Sequence, residues 1–282
     1  ADDTRGLAEI LTIIRAIKKS KLKTVGDIIF CGSVCEEGLG DLKGIKYIFE
    51  NNSNINGFIT IDGCYVGDIL YLGTGSLRFK ITYKGQGGHS LEDFGIPNPI
   101  HALGRAISKI AAIEIPTEPK TTFNVGVING GTSINSIAYE AAMYIDLRSN
   151  SVWELKKLEA DMFNCVNVSL DEENNRWQND KKIKLETELI GCRPAAEQSS
   201  DELIIQSALK ALDCLGIKPK LSQYGSTDAN IPISMKIPAI CVGRGGESGN
   251  IHNLKEWFEP TNAYLGPQKT LLTILSLVGS VF

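Results

Sequence analysis

The chain has 282 residues, enough for one large or two ordinary domains, and a hydrophobic content of 43% with which to fill sizeable cores. A net charge of −4 and the lack of any lysine- or arginine-rich run argue against nucleic acid as a partner. No apolar stretch reaches the roughly 18 residues needed to cross a bilayer and no secretory signal pattern is visible, while seven scattered cysteines without a CxxC pair read as reduced thiols of a cytoplasmic protein.

Leu7, Ile10, Leu11, Ile14 and Ile17 recur at three- and four-residue spacing, which predicts an amphipathic helix with Asp3 just before it. Such an aspartate is either a helix cap or a ligand. From Asp27 to Val34 the residues form an almost continuous apolar run, the pattern of a parallel strand buried on both faces, and it leads directly into Glu36 and Glu37. Leu42 to Phe49 reads as a short helix, and Phe58 to Ile61 as a second buried strand that runs into Asp62. This alternation is half of a doubly wound α/β sheet. The glycine-rich stretch from Tyr65 to Gly75 then crosses into something different.

From Ser76 the apolar residues Leu77, Phe79, Ile81 and Tyr83 alternate with Arg78, Lys80, Thr82 and Lys84, marking a strand with one wet face. A helix opened by Pro99 follows, then strands at 122–128 and 140–148, a helix striped by Leu155, Leu158 and Met162, a polar loop at 171–182 and a strand at 183–189. The order βαββαβ is that of a ferredoxin-like fold. Beyond residue 189 the α/β alternation returns: a helix over 201–215, a strand near Pro219, the GSTDAN turn with a helix, a strand over Ile237–Val242, the loop GRGGESGN leading to His252, and a terminal helix. The expected domains are therefore 1–75 with 190–282, and an insert at 76–189.

Ligands of open α/β sheets collect beyond the carboxyl ends of strands, and there two adjacent carboxylates can divide labour, one holding a metal and one moving a proton. Asp3, Glu37, Asp62 and His252 make an oxygen-rich donor set with one nitrogen, suited to zinc, cobalt or manganese. Cys31 and Cys35 flank the glutamates closely enough to be weighed as ligands and read as small buried hydrophobes. His101 shares the polar side of its helix with Arg105 and Ser108 and reads as solvated.

The strings ADDTRG, CEEG, ITIDG, GGHS, GGTSIN, IDLR and STDAN, with the segment around His252, occur in the order and spacing of one family. Through them the chain resembles the di-metal peptidases and deacylases that include peptidase T, carboxypeptidase G, aminoacylase and succinyl-diaminopimelate desuccinylase. The resemblance covers essentially the whole chain. It implies a doubly wound catalytic domain with an inserted dimerisation domain, a homodimer, and hydrolysis of an amide bond in a small peptide or N-acyl amino acid. It further implies Glu36 as general base, Asp3 as the residue bridging two metals, Glu37 and His252 completing one site, and Asp62 belonging to the other. His89 of the partner subunit would polarise the substrate carbonyl, and Asn135 and Arg148 would grip a carboxylate or oxyanion, for which an arginine fork is geometrically apt. A cis bond between Asp3 and Thr4 is implied as well. One departure stands out: the family's upstream His-x-Asp motif is not in this sequence, so the chain reads as the remainder of a longer polypeptide that holds at most one zinc tightly. The alternative reading is a non-catalytic or half-metallated dimeric binding scaffold.

Overall fold

A computed structural model describes residues 2–281. The chain up to Thr74, together with residues from Ala196 onward, forms one compact unit, and Gly75–Ala195 forms a second.

The first unit opens with α1 (Thr4–Ser20). Asp3 caps this helix, its Oδ1 accepting from Gly6 N at 3.0 Å, and Lys21 in the left-handed region (φ 54°) ends it. Its buried residues are Gly6, Glu9 and Ile13; of the predicted stripe Ile10, Ile14 and Ile17 are half-buried, with Ile10 packed against the core, whereas Leu7 and Leu11 are 50% and 55% exposed. Two residues turn it that way. Gly6 lets the backbone approach the sheet, since a Cβ there would lie 2.4 Å from Ile61 O, and Glu9 accepts a 2.6 Å hydrogen bond from Thr270 Oγ1 near the end of the chain.

A short strand, β1 (Lys23–Thr24), follows. The strand expected over 27–34 does not form: the segment pairs with no neighbouring strand among the described residues, and Ile29 and Val34 are 72% and 66% exposed. Apolar composition signals burial, but a ladder needs a partner strand alongside. What fixes the segment instead is Ser33 Oγ donating to Asp228 Oδ2 at 2.5 Å and Gly44 N donating to Val34 O at 3.1 Å. The second contact requires glycine, because a Cβ at 44 would sit 2.4 Å from Val34 O. After a single helical turn (Gly38–Gly40) come α2 (Lys43–Asn51), β2 (Phe58–Gly63) and β3 (Asp68–Leu70).

The second unit takes the chain through β4 (Gly75–Lys84), β5 (Gly88–His89), α3 (Pro99–Ala111), β6 (Thr121–Gly130), β7 (Ser136–Ile137), β8 (Glu140–Ser149), α4 (Val152–Asn175) and β9 (Lys184–Arg193). Its main sheet has the order β6-β8-β4-β9 with every pair antiparallel, the ferredoxin-like arrangement expected from the sequence. Phe79, Ile81 and Tyr83 of β4 and Met143, Ile145 and Leu147 of β8 point to one side, where Leu103, Ala106 and Ile110 of α3 and Leu155, Leu158 and Met162 of α4 close the core. The stretch read as a polar loop from residue 171 begins as helix. Glu173 in the last turn of α4 is fully buried, its carboxylate meeting the Arg105 guanidinium and accepting from Asn98 N at 2.9 Å.

The chain returns to the first unit with α5 (Leu203–Cys214), β10 (Lys220–Ser222), α6 (Asn230–Ser234), β11 (Ala239–Gly243), β12 (Glu247–Gly249), β13 (Trp257–Glu259), α7 (Leu265–Val278) and β14 (Ser280–Val281), which pairs with β1. The sheet order is β10-β3-β11-β2; β11 runs parallel to β2 and β10 parallel to β3, while β11 and β3 are antiparallel. Side chains of alternate parity leave the two faces. Ile59 and Ile61 of β2 with Ile240 and Val242 of β11 pack toward Ile10, Ile205, Leu212 and Leu277 of α1, α5 and α7, whereas Phe58 and Ala239 pack toward α2 and α6. Helices thus cover both faces, as in a doubly wound sheet.

Under this sheet lies a buried polar pair. Glu9 and Lys269 are both fully buried; burial pushes Glu9 up to about 7 against the pull of the Lys269 charge, and pushes Lys269 down to about 8. Lys269→Met is expected to lower the unfolding free energy by about 3 kcal/mol, because it leaves an uncompensated buried carboxylate, and adding Glu9→Gln should recover most of that. Denaturant melts of the three chains check this; a single-variant loss under about 1 kcal/mol would remove the pairing.

Candidate active site

The carboxyl ends of β2 and β11 and the turn after Val34 converge on one cluster of charge within the first unit. β2 carries Asp62, the turn carries Glu36 and Glu37, and β11 leads through Arg244 into the loop that holds His252. That loop is pinned by the antiparallel pair β12–β13, and His252 sits in the left-handed region at φ 60°, a conformation that side chains other than glycine adopt only under constraint.

His252 Nε2 lies 3.1 Å from Asp2 Oδ2 and 3.0 Å from Glu37 Oε1. A second trio, Asp2, Asp3 and Asp62, has carboxylate oxygens within 4.8 Å of one another. Asp2 therefore joins the two trios, where the sequence pattern had suggested Asp3. The reason is local: Asp3 carries the helix cap to Gly6, and the side chain that remains directed at both sets is that of its neighbour. The cis bond is likewise shifted by one residue, to Asp2–Asp3 instead of Asp3–Thr4. Asp2 is also anchored by its backbone, which donates to Glu256 Oε1 at 2.8 Å.

Electrostatics separate the three aspartates. Burial raises Asp62 to about 7, aided by the negative charges of Asp3, Asp2 and Glu36, and burial raises Asp3 to about 6. For Asp2 burial works upward too, but hydrogen bonds from Arg244 and Asp62 hold it below the usual carboxylate value. Hydrogen bonding to Glu37 raises His252.

Arg244 went unnoticed in the sequence. Its side chain is 1% exposed, and its Nη1 lies 3.0 Å from Asp2 Oδ1, 3.2 Å from Asp3 Oδ1 and 3.5 Å from Asp62 Oδ1, while donating to Asp62 O at 3.0 Å. An arginine between a fully buried strand and a glycine pair was the available signal.

The two trios differ as metal sites. Asp2, Glu37 and His252 offer two carboxylate oxygens and an imidazole nitrogen 3.0–3.1 Å from each other across the histidine, close to the about 3.3 Å expected between ligands of a tetrahedral ion, so these residues fit a divalent metal. The trio Asp2, Asp3 and Asp62 has no nitrogen and already holds a guanidinium, so a second transition metal does not fit it.

The remaining sequence candidates lie in the second unit. His89 on β5 pairs with Ser136 on β7, and Ser90 N donates to Asn135 O at 3.0 Å, so the fold brings His89 and Asn135 together. His89 Nδ1 accepts from Leu91 N at 3.3 Å and Glu92 N at 3.4 Å, which in the neutral ring leaves the proton on Nε2. Ser133 Oγ donates to Asn135 Oδ1. Arg148 points from the wetter face of β8, where its Nε donates to Asp146 Oδ2 at 2.6 Å. Burial would raise Asp146, but Arg148, Ser76 and Arg78 hold it low.

Residues 74–174 match the family described as the peptidase dimerisation domain. The chain is 26% identical over 223 residues to a succinyl-diaminopimelate desuccinylase of Rickettsia bellii, covering 74% of this chain and 54% of that protein, so it spans about half of this relative's length. Its fold is similar to that of a tripeptidase from Staphylococcus aureus (TM-score 0.82, 22% identity, 99% of this chain and 71% of that one). It is also similar to that of YXEP from Bacillus subtilis, described as a dinuclear metal binding peptidase (TM-score 0.73, 17% identity, 98% and 72%). Among the described residues no helix is long and apolar enough to cross a membrane.

Proposed function

We propose, on the premise that the chain belongs to the M20 peptidase family, that it is a metal-dependent hydrolase of an amide bond in a small peptide or N-acyl amino acid. The observation that carries this reading is the Asp2–Glu37–His252 trio, which shares Asp2 with Asp62 at the end of β2 and has Glu36 adjacent in sequence. A divalent ion such as zinc held there supplies Lewis acidity toward a carbonyl oxygen and makes water a stronger acid. Glu36 would take the proton from the attacking water and return it to the departing amine, a role that suits a carboxylate, and its charge lies close enough to bear on Asp62. Glu37 and His252, both exposed, and the more buried Asp2 would hold the ion.

His89 of the partner subunit is the donor proposed for the substrate carbonyl, with its Nε2 proton set by the two amides on Nδ1. Asn135, in the turn just before β7, would bind the same oxygen. Arg148 is the weaker candidate of the three, because its Nε is occupied by Asp146. Metal content together with turnover of N-acetyl amino acids and of di- and tripeptides tests the reading. Turnover of acyl substrates alone would mark a deacylase, turnover of peptides alone a peptidase, and metal binding with neither would leave a binding scaffold.

The second unit is also the proposed homodimer contact. β6 is an edge strand of its sheet, with Val127 and Ile128 49% and 59% exposed, and an unpaired edge of this kind favours a second copy. Light scattering at micromolar concentration should give twice the 30.7 kDa chain mass, and Ile128→Lys should return the monomer. A monomeric parent chain would count against this contact.

A further inference from the structure

Arg244 has no counterpart in the chemistry just described. Its backbone N–H donates to Gly63 O at 2.9 Å, which fixes the start of the side chain at the end of β2. The buried guanidinium then meets three carboxylates at once through Nη1, while Nε and Nη2 have no hydrogen-bond partner among the described residues. A guanidinium stays protonated at any working pH, unlike a lysine or histidine, so its charge cannot be set aside to admit another cation. Two positive centres among the same oxygens would repel at such short range, the more so because the guanidinium itself is buried.

From this geometry we infer that Arg244 is a built-in cation that takes the place of a second metal ion at Asp2, Asp3 and Asp62, making the chain a one-metal protein. The inference rests on the proposed site at Asp2, Glu37 and His252. Arg244 is also a positioning residue for that site: by holding Asp2 Oδ1 it leaves Oδ2 facing His252 Nε2, so that Asp2 presents a single oxygen to the ion.

The test is the number of zinc ions retained per chain after equilibrium dialysis against micromolar zinc, with circular dichroism to confirm folding. The expected result is one ion on the parent chain and two on Arg244→Met, whose freed carboxylates can take a divalent ion. Arg244→Lys, which keeps the charge, should stay at one. Two ions on the parent chain, or one on a folded Arg244→Met, would overturn the inference; if Arg244→Met does not fold, the parent count alone decides. An empty parent chain, unchanged by His252→Ala, would instead sink the proposed Asp2–Glu37–His252 site. In that event a gain of one ion on Arg244→Met still supports the role of Arg244, and no gain overturns it.

Discussion

Glu36→Gln is expected to lower kcat by about 10²–10⁴-fold while the metal content of the chain stays the same. Glutamine preserves the size and hydrogen-bonding reach of the side chain but cannot take a proton at neutral pH. The metal trio does not include Glu36, so the ion has no reason to leave. Glu37→Gln should behave in the opposite way. It weakens a carboxylate whose Oε1 lies 3.0 Å from His252 Nε2, and zinc retention after dialysis should fall before any change specific to turnover is seen. Metal analysis and initial rates on the same preparations separate the two. Equal metal loss in both variants would show that base and ligand have been confused, and unchanged turnover in Glu36→Gln would remove it from the chemistry.

How much of this was legible depends on how local each cause is. The strand Gly75–Lys84 follows from alternation in its own residues, and the helix Pro99–Ala111 from its own apolar stripe and its proline, so both stand as the sequence predicts. The segment 27–34 carries an equally strong apolar signal, yet a ladder is made with another stretch of chain, and no periodicity within the segment says whether one lies beside it. The α1 stripe holds only in part, Ile10 reaching the core while Leu7 and Leu11 stay exposed, for a similar reason. Glu9 reads as a surface residue until Thr270, 261 residues later, is seen to donate to it. Asp62 was legible as a residue at the end of a strand, where ligands collect in this kind of sheet, whereas Glu36 and Glu37 were singled out by the same rule from a strand that does not form. Arg244 was not legible, since its role comes from a long side chain reaching Asp2, 242 residues away in sequence.

The choice between the two adjacent aspartates is the sharpest remaining test, because the sequence pattern favours Asp3 and the geometry favours Asp2. Asp2→Asn is expected to reduce metal affinity by more than about 100-fold, a loss beyond that usual for residues that merely support a ligand. It removes the charge of the oxygen that faces His252 Nε2 at 3.1 Å. It also leaves Arg244 with one carboxylate fewer. Asp3→Asn should change little by comparison. Asparagine is as good a helix cap as aspartate, so the bond from Gly6 N survives and α1 keeps its start. Asp3 is absent from the trio that contains the histidine. Calorimetric titration of both variants with zinc decides the matter. If Asp3→Asn loses the metal and Asp2→Asn retains it, the bridging role returns to Asp3 and the orientation seen for Asp2 is not the one that binds.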